Sequence, residues 1–425
     1  MVSYIKLRNQ NPAGRRGFDF SKTHVIVFAS SHEGDYMSKI YDAIVVGLRA
    51  MGSAALYQLS LRTSNILGLE QFSLFHEMGS SHGDSRVYRQ AIGEGSFYAP
   101  LVIRSLEIAK KLEHRTNLEL FTRTGGLIMA SPSVNSSLHG SKDFLGETIR
   151  SAQEHAIYHE ALDLAGIKNI SSQFNLLGDE MGYYERGAGF MRPENCIRAQ
   201  LSQALLNGAQ IHSEEQVIGI DPKSEDIVSV KTDNKEYSAR KVIICAGPWI
   251  GKILGSKYDK LFQVHRQVLY WFDIGDNFLD FSPRWFPVFL WIRGREFLYG
   301  FPAIDGRFGG VKVASEVNDP VDPDMVDRNV TDKEIKEMSE KVKQFLPALN
   351  SSVCLKSKAC LYTETSDKHF VIDYHPEMSN VIIASPCSGH GFKHSLAIGQ
   401  VLAEMAIDDK STFDIDPFSL KRFKV

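Results

Sequence analysis

Three stretches of this chain set charged or reactive side chains among glycines. The first reads Gly47-Leu48-Arg49-Ala50-Met51-Gly52, with Glu70 further on. In a strand–turn–helix that binds a dinucleotide, the first glycine makes the tight turn and the last lets helix and strand pack closely. The pyrophosphate then rests on the helix N-terminus. An acid closing the next strand suits a ribose diol. Arg49 stands where such a turn brings its backbone against the pyrophosphate, so crowding is expected there. The second stretch is 79-GSSHGDSRVYRQAIGEG-95, which places His82, Arg86 and Arg89 within eight residues. The third group is dispersed: Lys312 in 309-GGVKVAS-315, Cys360, and Gly389-His390-Gly391-Phe392-Lys393, with Tyr299 in an aromatic-rich segment.

Each of these residues also has a plainer reading. Two glycines serve any strand–turn–helix. Arg89 suits a surface ion pair and His82 a satisfied polar group. Lys312 suits a solvated sheet edge, Cys360 a small buried hydrophobe, and Tyr299 the core.

The elements that must position these groups follow from periodicity. The run 42-DAIVVG-47 reads as a buried strand, 50–62 as a helix, and 65-NILGLE-70 as a second strand. That order implies a parallel pair with a right-handed crossover. Further helices are expected over 100–115, 193–206, 332–346 and 389–406, and strands over 126–131 and within 216–247 and 261–316. The fold expected is α/β: a Rossmann-like dinucleotide-binding domain interrupted by a β-sheet-based substrate domain. Its cofactor pieces are expected at 37–122, 187–258 and 359–425, and its substrate pieces at 123–186 and 259–358.

Composition narrows the class. The chain has 425 residues with 43% hydrophobic and 23% charged, and a formal charge of −3. A chain of this length buries a large core without staples. The charge carries no nucleic-acid footprint, and no apolar run reaches the roughly 18–20 residues needed to cross a bilayer. Five cysteines (Cys196, Cys245, Cys354, Cys360, Cys387) have no zinc spacing, so no metal is expected and a reducing cytoplasm fits best. Residues 1–36, with five basic and three acidic side chains, read as an appendage, either upstream sequence or a targeting peptide.

The stretch Ser81-His82-Gly83-Asp84-Ser85-Arg86-Val87-Tyr88-Arg89 resembles the monomeric sarcosine oxidase family. These flavoproteins oxidise N-methyl and cyclic secondary amino acids such as sarcosine, N-methyltryptophan and pipecolate. The resemblance continues in Lys312 after its Gly-rich turn, in 360-CLYTETSDKHFVIDYHP-376 and in 387-CSGHGFKHS-395, in the family's order. It implies FAD, held at Gly47, Gly52, Glu70, Gly389 and Gly391 and bonded covalently through Cys360. Lys312 matches the lysine where oxygen is reduced to hydrogen peroxide, a fixed cation preorganised for developing charge. His82 and Arg86 match residues lining the flavin. Arg89 and Lys393 match the cations that hold the substrate carboxylate, a planar fork and a point charge. Tyr299 matches a tyrosine of the substrate cavity. Glu316 stands where sarcosine-selective members place a histidine, which puts sarcosine itself in doubt. The expected protein is a cytoplasmic monomer acting on a small amino acid and oxygen, with no nucleic-acid or membrane partner. Two alternatives stay open: a fructosyl amino acid oxidase, favoured by a roomier cavity opposite Arg89 and Lys393, and a flavin-poor remnant disabled by Arg49.

Overall fold

The computed structural model of the chain describes residues 39–424, apart from 134–136, 295 and 318. The expected appendage 1–36 lies outside the described residues. Strand β1 (Ile40–Val46), helix α1 (Ala50–Ser60) and strand β2 (Ile66–Glu70) form the unit read from the N-terminal pattern. β1 runs parallel to β2 on one side and to strand Glu236–Ile244 on the other. These central strands are covered on both faces, which is why they read as continuous apolar runs instead of alternating.

The first sheet has eight strands. Its path runs Val217–Ser224, Ile227–Thr232, Glu236–Ile244, β1, β2 and Gln210–Ser213, and strands Met378–Ser385 and Val371–His375 extend from Glu236–Ile244. A second eight-stranded sheet is ordered Asn350–Glu364, Gln263–Asp273, Val311–Ala314, Glu296–Phe301, Val288–Arg293, Gly126–Ala130, Met181–Glu185 and Glu160–Leu162. Its core is aromatic, with Phe174, Phe272, Phe286, Phe289 and Trp291 all buried. Helix Asp332–Phe345 closes that core through Met338, Val342 and Phe345, and it starts at a capping box formed by Thr331 and Glu334. A small sheet of Arg86–Tyr88, Gly189–Met191 and Phe121–Arg123 carries Arg86.

Two elements differ from the sequence pattern. The helix expected over 389–406 begins later: Phe392–His394 is a single 3-10 turn and the α-helix runs Ser395–Asp408. The cause is local. A Cβ on Gly391 would lie 1.8 Å from the carbonyl oxygen of Pro386, so the chain folds back on itself before it can coil. The longest strand, Asn350–Glu364, was not foreseen, because its exposed first half is rich in Ser and Lys and hides the alternation.

All of α1 is buried, packed between the sheet and helices Pro193–Leu206 and Ser395–Asp408. This packing needs Gly399, where a Cβ would stand 2.4 Å from the backbone carbon of Ala54. Helix propensity alone favours Ala over Gly by about 1 kcal/mol, whereas forcing a methyl into packed backbone costs about 1–3 kcal/mol. Because the clash is with backbone, the upper part of that range applies, about 2–3 kcal/mol, and Gly399→Ala is expected to destabilise the protein by about 1–2 kcal/mol net. Thermal unfolding measures it, and an unchanged or raised melting temperature would show that the helices separate freely.

Candidate active site

A cavity of about 370 Å³ is lined by residues that include Gly47, Glu70, Arg86, Tyr362 and Gly389. Gly47 has φ +84°, and a Cβ there would lie 2.6 Å from the carbonyl oxygen of Cys245. A Cβ on Gly52 would lie 1.7 Å from the carbonyl oxygen of Gly47. Both positions thus require glycine, one for the turn and one for close packing. Glu70 ends β2 with its carboxylate fixed by two backbone donors. Oε2 accepts from Leu48 N at 2.9 Å and Oε1 from Phe72 N at 3.2 Å.

Arg49 departs from the crowding expected of it. Its φ is −80°, so the backbone there asks for no glycine. Its guanidinium donates to the carbonyl oxygens of Leu74 and Ser81, on the loop after β2, and Nε is buried with no partner. The side chain is drawn toward that loop by two carbonyls and brings positive charge to the cavity wall.

Arg86 lines the cavity, and Lys312 lies behind it. Arg86 donates to the carbonyl oxygens of Ser80 at 2.6 Å and Ser85 at 2.7 Å. Lys312 is fully buried, not a solvated edge residue. Its Nζ donates to the carbonyl oxygens of Gly83 at 2.8 Å and Ser85 at 2.7 Å, and lies 4.0 Å from the ring centre of Phe301. Burial and then Arg86 press its pKa well below the ordinary lysine value, while those carbonyls and the ring face favour the charged form. Cys360 is buried beside Leu269, Trp271 and Ala314. Burial raises its thiol pKa, and Arg86 and Lys312 pull the other way. His82 is buried with neither ring nitrogen bonded; burial and the nearby Arg86 push its pKa down to about 2, so it is neutral.

Arg89 and Lys393 converge on a carboxylate the sequence pattern did not single out. Arg89 Nη2 lies 2.6 Å from Glu94 Oε2, and Lys393 Nζ lies 4.0 Å from Glu94 Oε1. Arg89 is therefore a buried ion-pair residue and not a surface one. Against the cost of burial, Arg89 and then Lys393 hold the Glu94 carboxyl well below the usual range. The Lys393 amine, in turn, is lowered by burial to about 7. His139 extends the cluster, with Nδ1 3.1 Å from Glu94 Oε1 and Nε2 2.5 Å from Glu316 Oε1. Tyr299 sits nearby, its hydroxyl 3.2 Å from that of Tyr362. Glu94 was findable, since Gly93 and Gly95 bracket it within the second glycine stretch; nothing local marks His139 or Tyr362. Gly389 has φ +78° and touches this cluster: a Cβ there would meet His139 Nε2 at 3.0 Å and Glu316 Oε1 at 3.2 Å.

The residues fit a dinucleotide. Three cavity-wall groups, Arg49 Nε, Ser80 Oγ and Thr363 Oγ1, are buried polar atoms without protein partners. Such atoms are costly unless a ligand satisfies them. An acid, glycine backbone and arginines in one cavity wall suit a ribose, a pyrophosphate and an electron-rich ring.

The sequence profile of the FAD dependent oxidoreductase family matches residues 42–405. A monomeric sarcosine oxidase of Streptomyces avermitilis is 37% identical over 390 residues, covering 91% of this chain and 98% of that protein. An N-methyl-L-tryptophan oxidase of Escherichia coli O157:H7 is 31% identical over 391 residues, covering 90% of this chain and 100% of that protein. Among solved structures, NikD, an unusual amino acid oxidase essential for nikkomycin biosynthesis, superposes with a TM-score of 0.77 at 21% identity, over 90% of this chain and 98% of that one. The last likeness bears on the fold alone.

His139 makes the cluster sensitive to pH. Burial opposes its charge, but Glu316 and Glu94 override burial and raise its pKa to about 9. A group whose pKa is raised on folding contributes stability that is complete below its unfolded value of about 6.5 and is lost as pH rises through the folded value. The stability difference between the unaltered protein and His139→Gln is thus expected to be largest below pH ~6.5 and to shrink through pH ~9. Lys393 titrates in the same window with the opposite sign, but in both proteins, so to first order it cancels. Denaturant unfolding across pH checks this, and a constant difference would mean His139 is never charged.

Proposed function

This chain belongs to the FAD dependent oxidoreductase family, and on that premise we propose that it oxidises an N-methyl or cyclic secondary amino acid to an imine, with oxygen reduced to hydrogen peroxide. The observation that carries the reading is the convergence of Arg89 and Lys393, both buried, on one carboxylate, with Lys393 next in the chain to Phe392 of the cavity lining. A site that already holds a carboxyl group between a planar fork and a point charge has the chemistry to hold that of an amino acid.

FAD supplies the two-electron chemistry when bound. Gly47, Gly52 and Glu70 would hold its nucleotide half, and Gly389, Gly391 and Lys393 the flavin half, with His82 and Arg86 beside the ring. Cys360 would tether it covalently. The burial of Cys360 between Lys312 and Arg86, the cations that favour its thiolate, supports that reading. Lys312 presents a positive charge from a dry, pre-bonded position, which suits developing negative charge on oxygen. Arg89 and Lys393 orient the substrate by its carboxylate, and neutral His82 adds ring nitrogens that no protein group uses. In this division of labour the first sheet carries the cofactor and the second covers the substrate. Glu94, His139 and Glu316 form one hydrogen-bonded cluster against the clamp. The same reading makes the protein a monomer. Five free cysteines suit the cytoplasm, and no helix among the described residues is long and apolar enough to cross a membrane.

Lys312→Met keeps chain length and removes the charge. Anaerobic reduction by substrate is expected to stay within a few-fold of normal, while reoxidation by oxygen slows by about 10²-fold or more, the scale of losing one preorganised electrostatic group. Stopped-flow absorbance separates the half-reactions. Equal slowing of both would refute the role given to Lys312.

A further inference from the structure

The carboxylate clamp has an anionic corner that a carboxylate-binding role does not use. Glu316 lies two residues beyond strand Val311–Ala314, the strand that carries Lys312. Its Oε1 lies 3.2 Å from the point where a Cβ on Gly389 would be, and that point is also 3.2 Å from the ring of Tyr362. Gly389 and Tyr362 both line the cavity, so Glu316 stands directly behind two of its lining residues. Two buried acids flank His139, and they differ in access: the Glu94 side chain is 1% exposed and that of Glu316 17%. Glu94 is closed in by cations, whereas Glu316 keeps an accessible edge. The corner also has aromatic walls, since the hydroxyls of Tyr299 and Tyr362 meet at 3.2 Å and the Phe297 ring stacks 5.6 Å from that of Tyr299. A carboxylate beside aromatic faces is the chemistry that receives an ammonium.

His139 fixes where that carboxylate points. It holds a left-handed backbone, φ +46°, in a turn closed by reciprocal backbone hydrogen bonds between Leu138 and Ser141. Such a conformation is uncommon outside glycine and persists only when its surroundings determine it. Both ring nitrogens are engaged, one by each acid, so Glu316 cannot rotate away without leaving a buried imidazole nitrogen unpaired.

We propose that Glu316, positioned by His139, is a specificity-determining residue that receives the substrate's ammonium while Arg89 and Lys393 take its carboxylate. The site then selects zwitterionic amino acids over carboxylates of the same shape that lack the ammonium. This rests on the amino-acid reading given above. The bland alternative is that Glu316 only balances the charge of His139, in which case its loss would affect every ligand alike.

The test uses the flavin-loaded protein and two non-identical probes with the same heavy-atom skeleton, N,N-dimethylglycine and 3-methylbutanoate, in which carbon replaces the cationic nitrogen. Binding is read from the perturbation of flavin absorbance, without turnover. Glu316→Gln keeps the shape and an acceptor for His139 while removing the charge. It is expected to raise the dissociation constant of dimethylglycine about tenfold or more, the scale of one charge-assisted hydrogen bond, and that of 3-methylbutanoate less than about twofold. His139→Gln removes both the positioning bond and the positive charge beside Glu316, two opposed effects, so the ratio of the two constants is expected to move by a smaller factor than in Glu316→Gln. The ratio within one variant is its own control for folding. Equal weakening of both probes, or an unchanged constant for the amine, would overturn the role of Glu316 while leaving the carboxylate clamp intact. If neither probe binds the unaltered protein, the amino-acid reading fails and the role of Glu316 fails with it.

Discussion

The constraint on which the site depends is the burial of Glu94. A carboxylate taken out of water costs several kcal/mol unless close partners offset it. Here Arg89 at 2.6 Å, His139 at 3.1 Å and Lys393 at 4.0 Å surround it. These partners come from distant parts of the chain, so the ion cluster joins the segment after the small-sheet strand, the 137–141 turn and the approach to the last helix. Removing one member would leave others buried and unpaired, which makes the cluster a single unit and not a sum of pairs. The clamp that would take a substrate carboxylate is assembled around a carboxylate of the protein's own.

A second constraint acts through backbone carbonyls. Within residues 80–85, Ser80 accepts from Arg86, Ser81 from Arg49, and Gly83 and Ser85 from Lys312. One short loop, which itself carries Asp84, therefore holds three cations through its backbone carbonyls. Two of the three, Arg49 and Arg86, line the cavity and bring positive charge to its wall, which suits a pyrophosphate and an electron-rich ring. It also explains why Arg49 is compatible with the turn: the loop offers its guanidinium somewhere to go.

Much of this was legible before any coordinates. Gly47, Gly52 and Glu70 sit in one short βαβ unit, where spacing along the chain equals position in space. Arg86 and Arg89 belong to one stretch as well, and Lys312, Cys360 and Lys393 were recognisable through family resemblance. What was not legible depends on long-range approach. His139 is 45 positions from Glu94 and 177 from Glu316, and no periodicity or motif marks a lone histidine in a polar turn. For Arg49 the turn pattern carries no dihedral angle; the observed φ of −80° shows that the backbone there needs no glycine. The strand Asn350–Glu364 escaped notice because an exposed polar half breaks the apolar alternation on which strand reading relies.

The central claim is that this cavity binds FAD and that the cation clamp beside it delivers a secondary amino acid for oxidation. The most direct measurement is the visible spectrum of the purified protein, recorded anaerobically before and after an excess of an N-methylated or cyclic secondary amino acid. The account predicts the absorbance of a bound flavin, bleached by the amino acid and restored by air. A protein that stays colourless after incubation with FAD, or whose flavin absorbance no such amino acid bleaches, would contradict it.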